Sequence, residues 1–329
     1  MGEIAFEYLL AGLEITRGTA ATAPTHYLPL AGTLTPKKER YRPAENRGML
    51  AEYFRSVDVR RWSELEAKGG ADVYTLPVLL NTLAKGGVSA PTTPGGATTA
   101  RLWEFAPTMD ADDLQSMTLW FGDPNVQVFR SAFCMVDELT LTGEASGTDG
   151  VTMSIKGQGR FPTKNNPGSV PSVLQAPLLA PGAMQVWIDS TTIGTTEVVG
   201  RVAAAEITIP LGGTRKWLAA GPSAGLDFQA LGRSKRHAEL KLTLELPDLV
   251  QYDQWEAATS LKTRVRFNGP LIETAFYHFV EFDIYGPFDS LDLGENEGSR
   301  TIELTILSEY DATAGHDWAV RVQNDRNAL

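Results

Sequence analysis

The sequence predicts a mainly β protein with two short helices, in which one strand–helix–strand plan occurs twice. Three observations carry that reading. Leu240, Leu242, Leu244 and Leu246 alternate with Lys241, Thr243 and Glu245, the period of a strand with one buried and one wet face. Pro247 ends that ladder because it has no N–H to donate. Asp248, Leu249, Tyr252 and Trp255 then carry the charge and the spacing of a short helix, before Leu261, Thr263, Val265 and Phe267 alternate again. The same order recurs at Asp72–Gly86: a β-rich run, Pro77, an apolar stripe at Leu79, Leu80, Leu83 and Ala84, Gly86 in the place of a C-cap, and then a strand at Arg101–Ala106. The repetition predicts an internal duplication, with residues 1–130 as one module, 131–329 as the second, and Pro77 and Pro247 opening corresponding helices.

The remaining elements follow in order. Gly12–Leu30 is rich in small residues and predicts an irregular lead-in, with a strand opening over Tyr27–Leu34. Lys37–Arg47 is polar and basic and predicts a loop or hairpin tip; Ala51–Trp62 alternates weakly. Gly86–Ala100 has the composition of a flexible linker. Leu114–Phe121 and Val126–Phe133 flank a turn at Gly122-Asp123-Pro124-Asn125, and Val136–Leu141 and Val151–Ile155 flank a tip at Gly143–Gly150. Pro162, Pro167, Pro171, Pro177 and Pro181 make Phe161–Gly182 a linker or an extended crossing. Met184–Asp189 and Val202–Ile209 are strands, and Pro210–Lys235 is Gly-rich and irregular. Phe276–Tyr285 and Thr301–Tyr310 are strong strands joined by an acidic loop, Gly286–Ser299. The C-terminal stretch is expected to be partly ordered, since Trp318 and Val320 need cover.

Composition narrows the function. At 329 residues, 43% hydrophobic and 21% charged, the chain suits two soluble modules. No apolar run is long enough for a bilayer and the N-terminus lacks a basic region, so no membrane partner or signal peptide is expected. Phe6 stands where a myristoylation site needs Ser or Thr. Cys134 is the single cysteine, so packing rather than an intrachain disulfide must hold the fold. The net charge of −11 is uneven: residues 1–130 carry 13 basic and 15 acidic side chains, residues 131–329 carry 16 and 25. Such a chain gains no affinity for nucleic acid from counterion release.

Signals for chemistry are weak. Gly221-Pro222-Ser223-Ala224-Gly225 matches a Gly-x-Ser-x-Gly nucleophile pattern but lacks the strand before it and the helix after it. His26, His237, His278 and His316 have no metal-ligand spacing, and Asp110, Asp112 and Asp113 lack the spacing of an EF-hand. The seven tryptophans are scattered, as core and interface anchors are. The reading is therefore a non-enzyme, with no catalytic, metal or cofactor-binding residue.

Gly12-Leu13-Glu14-Ile15-Thr16-Arg17-Gly18-Thr19-Ala20, then Pro24 and Tyr27-Leu28-Pro29, resembles the start of tail tube (major tail) proteins of long-tailed, non-contractile bacteriophages. In that family a Glu-x-x-x-Gly-Thr run precedes a polar stretch, a strand pair and a Pro-led helix, which Tyr53–Gly86 matches in order. Glu281–Tyr285 and Thr301–Asp311 resemble the closing strands. Phe161–Gly182 and Pro210–Lys235 are longer than a compact module of the family needs.

The resemblance implies tandem β-sandwich modules, each with a flanking helix, in a structural virion protein assembled in the host cytoplasm. Its subunits would form rings stacked around a tape measure protein, capped by terminator and distal tail proteins, with DNA later passing through unbound. Because such tubes are generally sixfold, two modules per chain imply a trimeric pseudo-hexameric ring, with a hexamer of single elaborated domains as the alternative. The acidic excess marks Asp289, Asp292, Glu295 and Glu297 for the lumen. Lys37, Lys38, Arg40, Arg42, Arg47, Pro91 and Pro94 are the candidates for ring-to-ring contact. Competing readings are another tail or neck connector, which would stop at one ring, and a carbohydrate-binding β-sandwich.

Overall fold

The computed structural model describes residues 7–45, 47–83, 90–107, 115–210, 212–219, 225–246, 248–296 and 298–329. Its first half contains β1 (Tyr8–Leu13), β2 (His26–Leu28), β3 (Ala31–Tyr41), β4 (Val57–Gly70), α1 (Leu76–Leu83), β5 (Arg101–Phe105), β6 (Met117–Asp123), β7 (Gln127–Glu144), β8 (Thr152–Gly159) and β9 (Thr163–Lys164). The second contains β10 (Met184–Asp189), β11 (Val202–Pro210), β12 (Gly213–Lys216), β13 (Ala230–Arg233), β14 (Glu239–Glu245), α2 (Val250–Glu256), β15 (Leu261–Glu273), β16 (Phe276–Gly286), β17 (Phe288–Asn296), β18 (Ser299–Leu307) and β19 (Trp318–Asn324). The protein is mainly β, as predicted.

The main sheet runs β3-β4-β8-β7-β11-β14-β18-β17, antiparallel throughout. Its last four strands repeat the order of its first four: an outer strand, the strand before the helix, then the two strands of a hairpin. The second layer repeats as well. β1-β6-β7-β9 in the first half matches β10-β15-β16-β19 in the second, with β2 added beside β1 and β5 beside β19. β7 serves both layers because it bends at Phe133, where φ is 53°; its counterpart is split into β16 and β17 at Gly286, where φ is 149°. Arg160 N–H closes the first bend onto Ala132 O at 2.9 Å, and Glu309 N–H closes the second onto Tyr285 O at 2.6 Å. A bulge at Asp137 in β7 has its match at Asp289 in β17.

The layers share one apolar core. Leu139, Leu141, Ile207, Leu240, Leu242 and Leu304 of the main sheet belong to it, with Val265, Phe267, Phe282 and Val320 of the second layer. The Phe267 ring lies so close to Gly143 that a Cβ there would meet Cε1 at 2.6 Å, so this position of β7 excludes any side chain.

Several expectations change. The division at residue 130 falls inside β7, one continuous strand in which the two predicted segments Val126–Phe133 and Val136–Leu141 are joined. By strand order the halves change over between β9 and β10, in the Pro-rich crossing. Gly286–Ser299 is not a loop: Leu291 and Leu293 alternate with its acids, so that β17 pairs with β18. The lead-in Gly12–Leu30 begins on the last two residues of β1 and contains β2, and Pro210–Lys235 contains the β12–β13 hairpin. α1 is buried on every side, as the wholly apolar Leu-Pro-Val-Leu-Leu run requires, and Asp72 Oδ1 accepts Tyr74 and Thr75 N–H at 2.7 Å each just before it. α2 is only partly covered: Val250, Asp253 and Glu256 are exposed, Leu249 before it is 59% exposed, Gln251 is buried, and Trp255 is the member of the expected stripe that packs on the core. Pro77 is the second residue of α1, whereas α2 starts three residues after position 247, which lies outside the described residues, as does Gly86.

Candidate assembly site

Two strands of the main sheet have a neighbour on one side only, β3 at one end and β17 at the other. Unpaired edges invite pairing with another chain. Inside the chain, the halves meet in that manner: β7 pairs with β11, Leu141 opposite Ile207 and Leu139 opposite Ile209 on the buried face, with Thr140 and Thr208 hydroxyls 3.2 Å apart on the other. Strand order makes β17 the counterpart of β7, and β3 the counterpart of β11. Leu293, the counterpart of Leu141, is 65% exposed at its edge.

The Glu-x-x-x-Gly-Thr run organises the first bend. Glu14 is buried, and its carboxylate accepts Gly18 N–H at 2.8 Å, Thr118 Oγ1–H at 2.8 Å, Ser116 Oγ–H at 2.5 Å and Phe133 N–H at 2.8 Å. It thus fixes the residue at which β7 leaves one layer for the other. Gly18 has φ 78°, where a side chain is strained. The second half repeats the device at the end of β10: Asp189 accepts Gly194 N–H at 2.8 Å and Thr196 N–H at 2.8 Å, and Gly194 has φ 86°. The sequence signal, an acid followed four or five residues later by Gly-Thr, was legible in the first copy and missed in the second.

Each half also extends an arm from the main sheet. The second arm, between β11 and β14, folds onto the first half. Asp227 receives Arg61 in a two-pronged pair at 3.0 and 3.1 Å and accepts Phe161 N–H at 3.3 Å. Phe228 is fully buried against Phe133 (5.3 Å between rings) and Trp217 (6.1 Å), and Trp217 meets Trp62 edge-on at 6.0 Å. Arg215 lies over Trp62 and 3.6 Å from Glu64. Burial here pushes the Asp137 carboxyl up to about 6, against its hydrogen bond from Gln158, and lowers the Arg215 guanidinium. The Trp62 indole N–H, 2.8 Å from Glu64, leads the causes that lower that carboxyl.

The first arm, between β3 and β4, projects as a two-stranded ribbon and carries most of the expected ring-to-ring residues. Lys37 pairs with Glu64, Lys38 and Arg40 with Asp58, and Arg47 with Glu45; Arg42 lies over Tyr53 and Arg47 over Phe54. These are exposed pairs, which contribute little to stability. Met49, Leu50 and Tyr53 are 73, 108 and 46% exposed. Pro91 and Pro94 lie elsewhere, in a segment that its composition marked as flexible. In the described part, Glu273 fastens it by accepting Thr98, Thr99 and Ala100 N–H at 2.7–2.8 Å, and those bonds lower its carboxyl to about 2.

The acidic candidates are separated. Asp292 stands opposite Glu303 on the exposed face of the main sheet; Glu295, beyond Leu293 and opposite Arg300, falls on the other face; Asp289 is exposed at its bulge. Glu297 lies outside the described residues, with Ser223, Asp110, Asp112 and Asp113. His278 is buried edge-on to Tyr74. His26 is buried beside Asp72 and Arg326 around a cavity of about 20 Å³, the room of one water, and burial lowers its imidazole to about 4. Among the described residues no three His, Cys, Asp or Glu gather as a metal site.

A family model described as phage tail tube protein matches residues 7–312. No curated protein matches the chain.

Proposed function

Because the chain belongs to the phage tail tube protein family and is a structural component of the virion tail, we propose that it consists of two tube modules in tandem and that three chains close a pseudo-sixfold ring. The observation that carries this is the β7–β11 joint between two halves of the same strand order. A head-to-tail contact closes when its rotation does, and β17 of one chain and β3 of the next are the two edges left to repeat the joint. Carrying the internal register over sets Asp292 opposite Thr35, Leu293 opposite Leu34 and Gly294 opposite Thr33 of the neighbour. That pairing covers Leu293 as Ile207 covers Leu141.

The exposed face of the sheet then lines the bore. Between the arms it presents nine carboxylates (Glu64, Glu66, Glu138, Glu144, Glu206, Glu239, Glu245, Asp292 and Glu303) against four lysines (Lys37, Lys68, Lys156 and Lys241), interspersed with Thr and Ser. An acidic wall repels phosphate within roughly 8–10 Å at physiological salt, so DNA slides past without specific binding. Rings stack around a tape measure protein between terminator and distal proteins, with the basic outer side of the first arm and the Pro91–Pro94 segment facing the next ring.

Thr35→Cys with Asp292→Cys tests the ring. Oxidised assemblies are expected to run as trimers on a non-reducing gel, and tubes in cryo-electron micrographs to have threefold true symmetry. Six chains per ring, or rings that never stack, would overturn it, the latter in favour of a connector.

A further inference from the structure

The two arms leave the main sheet at corresponding positions. Main-sheet registers align Leu34 with Ile207, Leu65 with Leu240 and Gly159 with Ser308. Phe54 comes twenty residues after Leu34, and Phe228 twenty-one after Ile207. The same alignment gives the acceptor surface of the second arm a counterpart on the second half: Arg61 corresponds to Arg236, Arg160 to Glu309, Phe161 to Tyr310 and Asp137 to Asp289. In the first half that surface is covered by Asp227 and Phe228. In the second, Tyr310 is 55% exposed and Asp289 and Glu309 are exposed, while Phe54 and Tyr53 remain accessible on the first arm.

We infer that the tip of the first arm, residues 42–45 and 47–56, docks on the second half of the neighbouring chain, the chain whose β17 pairs with its β3, with Phe54 seated beside Gly286 and Glu309, the counterparts of the Phe133 and Arg160 that seat Phe228. One charge differs between the two acceptors: Glu309 on the second half stands where Arg160, whose guanidinium bonds Phe228 O at 3.2 Å, stands on the first. That position suits a cation on the incoming arm, where Arg55 follows Phe54. The ribbon has a place to bend, the irregularity between Glu39 and Arg40. The docked arm would lie along the rim of the ring, its inner aromatic side locking neighbours laterally and its outer side left for the next ring.

This inference rests on the ring proposed above, and its test separates the two. Tyr53→Cys with Arg236→Cys copies the Asp227–Arg61 contact. Mild oxidation of isolated rings is expected to crosslink adjacent chains, and Phe54→Ala to raise the ring dissociation constant by about tenfold or more while leaving the melting of the free chain unchanged. Arg55→Glu, a charge reversal at an exposed position, is expected to weaken the ring in the same direction. If Thr35→Cys/Asp292→Cys crosslinks but Tyr53→Cys/Arg236→Cys does not, the ring stands and the docked arm is overturned. Crosslinks found only in stacked tubes overturn it too, since the arm then addresses the next ring. Failure of both pairs overturns both readings.

Discussion

The arm between β11 and β14 and the arm between β3 and β4 leave the same sheet at corresponding points, yet one is folded down and the other stands out. The second arm buries Phe228 completely and closes a two-pronged ion pair on Arg61. The first leaves Met49, Leu50 and Tyr53 in water and satisfies its charges along its own ribbon. Aromatic content alone does not account for this: each arm carries two such residues, Tyr53 and Phe54 in the first and Trp217 and Phe228 in the second. The difference is that the second arm has its acceptor within the chain. Where the acceptor of the first arm belongs to another chain, an exposed apolar tip is the expected state of the free subunit.

Truncating the two phenylalanines separates the arms by the largest expected effect. Phe228→Ala removes a fully buried ring and is expected to cost the free chain about 3–5 kcal/mol, read from urea midpoints. Phe54→Ala is expected to change it by less than about 0.5 kcal/mol, as for a surface position. Equal losses would mean that the first arm is already part of the folded core and that the asymmetry is false.

The strands that were legible were those with one wet face. Leu240–Leu246 and Leu261–Phe267 alternate over their whole length, and both form as expected. β17 was hidden because its acids stand out more than Leu291 and Leu293, and a strand at a free edge needs few apolar residues. The repeated strand–helix–strand order was legible in the sequence, but Pro77 lies inside α1 and position 247 lies outside the described residues. Better markers were the acid–Gly-Thr clasps at Glu14 and Asp189 and the bulges at Asp137 and Asp289, which register makes visible and composition does not. The arms were read only as polar or Gly-rich stretches, since docking depends on contacts from β4, β7 and β8, far away in sequence.

The docked arm also leaves a signature in the pH dependence of stability. Asp137, beneath the docked arm, titrates near 6 in the fold, above its ordinary value, so its contribution is full below about pH 4 and is lost as pH rises through 6. Asp137→Asn is therefore expected to stabilise the chain at pH 7–8 by about 2–3 kcal/mol and to leave it little changed at pH 4. His26 acts with the opposite sign. Its imidazole is held near 4, so its contribution is present above about 6.5 and is lost as pH falls through 4. In Asp137→Asn, stability should consequently fall more steeply on acidification between pH 6.5 and 4 than in the parent. An Asp137→Asn chain no more stable than the parent at pH 7–8 would show that the docked arm does not set the environment of Asp137.

The smallest effect concerns the ion pair that accompanies the buried ring. Arg61 and Asp227 are 37 and 18% exposed at the side chain and meet through two hydrogen bonds, a geometry better than that of most surface pairs but still reached by solvent. A double-mutant cycle with Arg61→Ala and Asp227→Ala is expected to give a coupling of about 1 kcal/mol, weakening as salt is raised. That value is small beside the loss at Phe228, and the ratio assigns distinct tasks: apolar burial holds the arm down, and charge determines which acceptor it takes. A coupling of about 3 kcal/mol or more would reverse the assignment, since polarity would then dominate the docking inside the chain. Reversing the polarity with Arg61→Asp and Asp227→Arg together should restore most of what either change loses alone, because the two groups face each other directly. If the double reversal is no better than the single ones, the loss lies in the Phe161 N–H that the Asp227 carboxylate also accepts, and charge does not select the acceptor.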